Sequence, residues 1–120
     1  MMKTHQIECT ATTRTALDFV DITDEVQDAL SDSGIQCGQV TVFAPHRDCA
    51  ILINEQESGL HTDIRTTLER LGGKRTVVGS KSVVLPAMSG KLRLGQWQRV
   101  LLLELDHAQE RSIIVQIVGE

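Results

Sequence analysis

The sequence predicts an α+β fold in which two helices cover one face of a mostly antiparallel sheet. Apolar residues recur at helical spacing in only two segments, and most of the other apolar or β-branched residues fall in short runs typical of strands. Several of these runs follow one another without an intervening helix, so most strands must pair antiparallel. A chain of 120 residues has the size of one domain, which we expect to span 1–120.

The first helix is predicted from apolar residues at positions i, i+4 and i+8, namely Ile22, Val26 and Leu30. Asp21 or Thr23 can accept a hydrogen bond from a free amide at its start. The helix is expected to end near Ser33 and Gly34, because glycine adopts the left-handed conformation of a helix end without steric cost.

The second helix is predicted from apolar residues at i, i+4, i+8 and i+11, namely Leu60, Ile64, Leu68 and Leu71. All four are expected to dock on the core. The pattern stops at Gly72 and Gly73, which predict the C-terminal end of the helix.

Strands are predicted over residues 5–15, 39–44, 49–53, 75–78, 82–85, 100–105 and 112–118. The run 100–105 is apolar at both alternating sets of positions until Glu104. This pattern is typical of a central strand that is buried on both faces, or of a strand packed in a subunit interface.

Composition excludes several classes of function. The formal charge of −4 disfavours binding to phosphate backbones and to anionic membranes, and the 2% content of aromatic residues disfavours base stacking. The three cysteines, Cys9, Cys37 and Cys49, form no CxxC pair and predict no disulfide framework. With no apolar targeting or membrane-spanning segment, a cytoplasmic location is expected.

Several short strings occur in one order that resembles the YjbQ family, whose members have been described as secondary thiamine-phosphate synthases. They are Asp21-Ile22-Thr23, Ser33-Gly34-Ile35, Pro45-His46, Asn54-Glu55, Gly90 to Leu94 followed by Gly95-Gln96-Trp97-Gln98, Glu104 with Asp106, and Gly119-Glu120. The resemblance implies a mixed α+β fold, a homotrimer and a pocket that contains His46. In many family members this pocket also holds a metal.

The sequence departs from the family in three places. Members usually carry a longer, histidine-bearing segment after the second helix, whereas here no histidine lies between His61 and His107. The segment therefore looks shortened by about twenty residues, more than the ordinary variation of loop length. Arg47-Asp48 replaces two hydroxyl residues, and the family's Asp-Gly-Pro-Arg turn has lost its arginine. The chain thus resembles a shortened, divergent member.

His46, Asn54, Glu55 and Glu104 are the candidate catalytic residues, and His46 is the one candidate metal ligand. His46 can act as a ligand or general base, or as a turn histidine bonded to backbone. Asn54 and Glu55 can orient a ligand, or can satisfy free amides of the second helix. The other histidines, His5, His61 and His107, are expected to be solvated surface residues.

Glu104 interrupts an apolar strand, and burying its carboxylate without a partner would cost several kcal/mol. Arg111 or Arg93 on a neighbouring strand is the structural candidate, and proton transfer is the functional one. Trp97 is interpreted as a core or interface anchor, with a pocket wall as the alternative. Cys49 is interpreted as inert packing, with a nucleophile paired to His46 as the alternative.

Two functions remain open at this stage. The first is an oligomeric scaffold with a degenerate metal or ligand pocket, with no cofactor beyond a weakly bound divalent metal. The second is an enzyme with weak thiamine-phosphate synthase-like activity on a small phosphorylated or heteroaromatic substrate. A homotrimer is expected from the resemblance and from the apolar surplus of residues 100–103, with a small molecule as the possible ligand and neither nucleic acid nor membrane as a partner.

Overall fold

A computed structural model of the protein describes residues 1–71 and 79–120. The two helices are Thr23–Ser33 (α1) and Ser58–Leu71 (α2). The strands are Lys3–Thr12 (β1), Phe19–Asp21 (β2), Gly38–Phe43 (β3), Cys49–Glu55 (β4), Ser82–Met88 (β5), Lys91–Leu92 (β6), Gln98–Glu104 (β7) and Glu110–Gly119 (β8). The predicted α+β class is confirmed.

The strands form two sheets rather than one. The large sheet has the order β1-β8-β3-β5-β6 and the small sheet the order β2-β7-β4, with antiparallel pairing between all neighbouring strands of the described residues. The two helices contribute to different apolar clusters, so they do not share one face of a single sheet. Strand patterns carry no information about which strand pairs with which, and the sequence therefore could not separate the sheets.

Most predicted elements lie within a few residues of the observed ones. The two missed strands, β2 and β6, are only 3 and 2 residues long, which is too short for a periodic pattern. The predicted strand 75–78 and the helix end at Gly72 and Gly73 lie outside the described residues. Neither helix in the described ranges has the length and apolarity needed to cross a bilayer.

The main core lies between the two sheets and α1. It receives Val26 and Leu30 from α1, alternate residues of β3 and β8, and one face of β7. The opposite face of β7, with Leu101 and Leu103, belongs to a second cluster. The strand is thus buried on both faces within one chain, which confirms the first interpretation of its pattern. The inference of an oligomer from an apolar surplus in residues 100–103 is wrong, because these residues have no exposed surface to offer.

The second cluster lies on the outer face of the small sheet and is covered by α2. Leu68 is 3% exposed and contacts this cluster, and Ile64 packs beside it. Leu71 is 57% exposed, so the prediction that it docks is wrong. The helix instead buries His61, one residue from Leu60, because the ring fits against Phe19 of β2.

Both ends of α1 follow the expected chemistry. The carboxylate of Asp21 accepts a hydrogen bond from the Thr23 amide at 3.0 Å, which satisfies one free donor of the first turn. At the other end, Gly34 has a φ of 72° and donates its amide to the Ser31 carbonyl. The predicted start and end of this helix are confirmed.

Two glycines allow the start of β3 to approach the end of β8. Gly38 and Gly119 are direct cross-strand partners. A Cβ atom on Gly38 would overlap the Val118 carbonyl oxygen, and one on Gly119 would overlap the Cys37 carbonyl oxygen. The large sheet therefore requires glycine at both positions.

We predict that Gly38→Ala will destabilise the protein by about 3 kcal/mol, because the new methyl group meets backbone atoms that cannot move independently. Gly79→Ala is the matched control, since a Cβ there has no neighbour within 4 Å among residues 1–71 and 79–120. Urea unfolding measures both, and equal losses in the two variants would contradict the requirement for glycine at residue 38.

We predict that Leu68→Ala will lower the free energy of unfolding by about 2 to 5 kcal/mol, because it removes a buried side chain between α2 and the small sheet. Leu71→Ala, a change of the same chemistry at an exposed position of the same helix, should cost less than about 0.5 kcal/mol. Chemical denaturation of the two variants distinguishes a docked helix from one that only lies near the sheet.

Candidate functional site

The carboxylate of Glu104 lies at the end of β7 and has no solvent-exposed surface. Its Oε1 accepts hydrogen bonds from the Thr13 hydroxyl at 2.8 Å and from Arg111 Nε at 2.9 Å. Its Oε2 accepts hydrogen bonds from Arg111 Nη2 and from the Asp106 amide. Because a carboxylate offers about four lone-pair positions, this one has its acceptor capacity filled.

Local structure brings these partners together. The short connection between β7 and β8 places Arg111 opposite Glu104, and the Asp106 amide lies at its first turn. Thr13 follows β1 directly, where its amide donates to the Gln109 carbonyl at 2.9 Å and its hydroxyl accepts from the Gln109 amide at 3.0 Å. The Glu104 cluster, defined as Glu104, Arg111, Thr13 and the Asp106 amide, thus joins three chain segments.

The charge state of the Glu104 cluster follows from two opposing effects. Burial alone would raise the pKa of Glu104, but hydrogen bonds from Arg111, Thr13 and the Asp106 amide outweigh it and hold the pKa below its ordinary value. The hydrogen bond to Glu104 raises the pKa of Arg111 in turn. The predicted ion pair is confirmed for Arg111, whereas Arg93 lies near the Met88 sulfur instead.

His46 lies in the connection between β3 and β4, as the sequence predicted. Its Nε2 is 3.0 Å from the Ser112 carbonyl oxygen and 3.2 Å from the Ser112 hydroxyl, and the Ser112 amide points at the same nitrogen. The pairing of β3 with β8 ends at Phe43 and Ile114. The imidazole therefore lies against the β8 backbone just beyond the last residue pair of this ladder. This is the geometry of a turn histidine bonded to backbone.

Two cationic side chains, Lys81 and Arg111, donate hydrogen bonds to backbone carbonyls of the connection between β3 and β4 and of the start of β4. Lys81 Nζ donates to the carbonyl oxygens of Arg47 and Cys49, at 2.9 and 2.7 Å. Arg111 Nη2 donates to the Asp48 carbonyl oxygen at 3.2 Å, which links the connection to the Glu104 cluster. Cys49 is fully buried, and burial raises the pKa of its thiol, which favours the interpretation as inert packing over that as a nucleophile.

Asn54 and Glu55 lie at the opposite end of β4. The strand runs from Cys49 to Glu55, and a rise of about 3.3 Å per residue separates its ends by about 20 Å. The Asn54 side chain accepts a hydrogen bond from the Glu55 amide at 2.9 Å, and Glu55 is exposed. His46 therefore contacts Ser112, the residue after Arg111, whereas Asn54 and Glu55 lie at the far end of β4.

The first turn of α2 is capped by a residue that the sequence analysis missed. Glu57 accepts hydrogen bonds from the amides of Gly59 and Leu60, at 2.8 and 2.6 Å. These bonds lower the pKa of Glu57. The interpretation of Asn54 and Glu55 as caps is therefore wrong. The helix begins two to three residues later than that interpretation required, and an acidic residue immediately before it was the available signal.

The expectation that His61 is a surface residue is wrong. Its ring stacks on Phe19 with centroids 4.0 Å apart and planes 11° apart, and its Nε2 lies 3.0 Å from the Glu55 carbonyl oxygen. Arg65 reaches over the same Phe19 ring and donates to the Leu17 carbonyl oxygen at 2.8 Å. His61 thus helps to dock α2.

The other two histidines differ from each other. His5 is half-buried on β1, with its Nε2 shielded from solvent, so the surface expectation is wrong for this residue too. His107 is exposed as predicted and lies 3.0 Å from the Asp106 carboxylate.

The described residues do not provide the ligand set of a metal centre. Within residues 1–71 and 79–120, no three or more His, Cys, Asp or Glu side chains lie close enough together to hold one ion. A catalytic zinc site commonly takes three protein ligands. His46 belongs to no such group, so the donor set of one described chain does not fit the metal that the resemblance implied.

Trp97 is 68% exposed, so its interpretation as a core residue is wrong. It lies in the connection between β6 and β7, next to Gln98, which pairs with Glu55 across the small sheet. An anchor in an interface and a wall of a pocket are the remaining interpretations.

Comparisons with known proteins agree with this fold over the whole chain. A family model described as "UPF0047 protein YjbQ-like" matches residues 6–78 and 72–120. The chain belongs to the YjbQ-like UPF0047 family. A UPF0047 protein of Archaeoglobus fulgidus is 37% identical, with 91% of this chain and 98% of that protein covered. A UPF0047 protein of Methanothermobacter thermautotrophicus is 32% identical over 99% and 95% of the two chains.

Solved structures of the family show the same architecture. A YbjQ-like protein of unknown function from Sulfolobus solfataricus is 32% identical, and the two chains match over their full lengths with a TM-score of 0.93. A hypothetical protein from Aeropyrum pernix is 31% identical, with a TM-score of 0.88 over 96% of this chain and 98% of that one.

The comparisons also bear on the length of this YjbQ-like protein. The match to the Methanothermobacter protein extends over 136 positions, whereas this chain has 120 residues. The family model matches in two parts that meet at residues 72–78. The alignment with the Methanothermobacter protein therefore contains gaps in this chain, and the two parts of the family match overlap directly after α2.

We predict that Glu104→Gln will destabilise the protein at neutral pH by about 3 to 5 kcal/mol, because it leaves the Arg111 guanidinium buried without its counter-charge. The folded-state pKa of Glu104 is lowered, so its contribution is present above the unfolded pKa and is lost as pH falls through the folded pKa. The difference between the two proteins should therefore shrink on acidification.

Urea unfolding of both proteins at several pH values between neutral and strongly acidic measures this difference. The lowered pKa values of Asp18 and Asp21 are common to both proteins and cancel in the comparison. A difference that stayed constant with pH would show that Glu104 is not ionised in the folded protein.

Proposed function

We propose that this YjbQ-like protein is an oligomeric scaffold whose ancestral metal or ligand pocket has degenerated. The observation that supports a degenerate pocket is the saturated carboxylate of Glu104, whereas the oligomer is proposed from the resemblance to the family alone. A general base or a metal ligand needs a free lone pair directed at the substrate or ion. The four hydrogen bonds to Glu104 use its acceptor positions inside the fold, and its side chain reaches no solvent.

The surroundings of His46 support the same proposal. Its Nε2 lies against the backbone of Ser112, and ligation of a metal through this nitrogen would require that contact to be given up. Asn54 and Glu55 lie at the other end of β4 and cannot complete a site with His46 in the same chain. His46 and Glu104, two of the residues that resemble the family's pocket, thus have structural partners in this protein.

We predict that the purified protein will hold less than stoichiometric divalent metal and will form no thiamine phosphate above background. Three ligands are commonly needed to hold a zinc ion and to lower the pKa of its bound water toward about 7. Elemental analysis of protein purified without chelator and a discontinuous assay for thiamine phosphate measure both quantities.

His46→Ala tests the role of this histidine directly. We expect it to change the free energy of unfolding by about 1 kcal/mol, the contribution of a typical hydrogen bond. His107→Ala, at an exposed position, is the control. Stoichiometric metal and thiamine-phosphate formation that are both lost in His46→Ala would support the enzyme instead, with ligands supplied by Glu55, Asp48 or His107 of a neighbouring subunit.

A further inference from the structure

The first strand of the large sheet has one free edge. β1 is ten residues long and forms the end of the sheet, where β8 is its one partner among the described strands. Its register with β8 is continuous from Lys3 to Thr12, without a bulge. The strand contains no proline, and its one lysine is its first residue. Native proteins commonly block such edges with bulges, prolines or lysines, so β1 lacks most of the protection expected of an edge that stays unpaired.

Alternate residues of β1 direct their backbone groups away from β8. The Thr13 amide, one position beyond the strand, donates to the Gln109 carbonyl, so the odd-numbered residues bond to β8 in this antiparallel ladder. The even-numbered residues therefore direct N–H and C=O groups to the free edge, and they are Thr4, Gln6, Glu8, Thr10 and Thr12. These groups can pair with one further strand over the whole length of β1.

The other sheet edges are shorter or already in use. β6 and β2, at two of these edges, have 2 and 3 residues. β4, at the remaining edge, donates its Ile51 amide to the Ser80 carbonyl, and its Cys49 carbonyl accepts a hydrogen bond from Lys81. β1 is therefore the one long open edge of the described ranges.

One side of α1 places acidic residues next to this edge. Gln27 faces the opposite edge, because its side chain bonds to the Gly90 carbonyl and the Leu92 amide at β6. Residues advance by about 100° around a helix, so Glu25 and Asp32 lie on the other side of α1, towards β1. Both are exposed and form no ion pair within residues 1–71 and 79–120.

The direction of α1 determines where these charges lie along β1. The helix ends close to the start of β3, which lies across β8 from the start of β1. Asp32 therefore lies towards the start of β1, and Glu25 lies further along the strand. The pKa of the Cys9 thiol agrees with this placement, because burial raises it and the charges of Glu25 and Glu8 raise it further.

We propose that the free edge of β1 binds an extended segment of a partner protein that carries basic side chains at every second position. The backbone of the segment pairs with the even-numbered residues of β1 and extends the large sheet. Its basic side chains lie beside Glu25 and Asp32. These two residues are about 10 Å apart along the helix axis, between the spacings of about 7 and about 13 Å for strand positions two and four apart.

A second copy of β1 fits this edge less well than a basic segment does. On the face of β1 that packs towards the main core, Lys3 is the one residue with a permanent positive charge, and it lies at the end of the strand. A second β1 also brings a second Glu8 to the other face. The proposed partner is therefore a different chain. The inference goes beyond the scaffold proposed above, since it uses neither the pocket nor the oligomer.

Fluorescence anisotropy of labelled synthetic peptides, titrated with the full chain, tests the proposal. The probe is a peptide of the length of β1 in which lysine alternates with threonine. With the lysines on the α1 side, the threonine amides face β1, because directly opposed residues of an antiparallel pair share a face. We expect this peptide to bind. A peptide with glutamate in place of lysine, and one with proline in place of threonine, should not bind at the same protein concentrations.

Gln6→Pro blocks the edge on the protein itself. The Gln6 amide points away from β8, so its loss leaves the pairing of β1 with β8 intact, and proline is tolerated at such positions of edge strands. We expect about tenfold weaker binding of the lysine–threonine peptide, since a ladder hydrogen bond is lost. Gln6→Ala keeps the amide and should bind the peptide as the unaltered chain does. Circular dichroism verifies that both variants are folded.

The double variant Glu25→Gln/Asp32→Asn tests the acidic side of α1 without altering the strand. We expect about fivefold weaker binding of the lysine–threonine peptide and a smaller loss of affinity on addition of salt. Asp63→Asn/Glu69→Gln is the matched control. It makes the same change of charge at exposed positions of α2, away from the large sheet, and should leave binding unchanged.

Each part of the proposal has an outcome that overturns it. No binding of the lysine–threonine peptide, or equal binding of the lysine–proline peptide, overturns the pairing of a strand with β1. Equal binding by Glu25→Gln/Asp32→Asn overturns the role of α1. Self-association of the unaltered chain that is lost in Gln6→Pro shows that a second copy occupies the edge, and overturns the basic partner. None of these outcomes changes the metal content or thiamine-phosphate formation, so this proposal and the proposed function fail independently.

Discussion

The ion pair between Glu104 and Arg111 constrains the rest of the structure because it places two charges inside the protein. A buried charge without a partner costs several kcal/mol, so the chain must keep the pair together and satisfy its remaining acceptors. Thr13 and the Asp106 amide do so, and the same guanidinium reaches the Asp48 carbonyl. These bonds connect β7, β8, the segment after β1 and the connection that carries His46, and thereby tie the two sheets to each other.

This constraint bears directly on function. In this chain the carboxylate of Glu104 is occupied by hydrogen bonds within the fold. A carboxylate whose lone pairs are filled cannot accept a substrate proton without first losing a hydrogen-bond partner. If the lost partner were Arg111, its guanidinium would be buried without a counter-charge, which costs several kcal/mol. This arrangement is consistent with a scaffold. The chain retains the architecture of the family, but His46 and Glu104 form hydrogen bonds within the fold.

The two apolar clusters stabilise different parts of the fold. The main cluster binds the two sheets and α1, and the second cluster binds α2 to the outer face of the small sheet, with β7 contributing to both. The contacts of α2 are few and partly polar, through the His61 ring on Phe19 and the Arg65 guanidinium on the Leu17 carbonyl. Exposed apolar side chains outside both clusters include Trp97 and, on the outer face of the large sheet, Phe43, Val84 and Met88.

The sequence by itself determined the α+β class, the start and end of α1, the apolar character of β7 at both sets of alternating positions and the need of a buried Glu104 for a partner. Each of these follows from local spacing or from the cost of one buried group. Tertiary structure alone decided that the strands form two sheets, that His61 rather than Leu71 docks α2, and that Glu57 caps this helix. It also decided that β4 separates His46 from Asn54 and Glu55. These features depend on which surfaces meet across the fold, and the spacing of residues along the chain does not encode that choice.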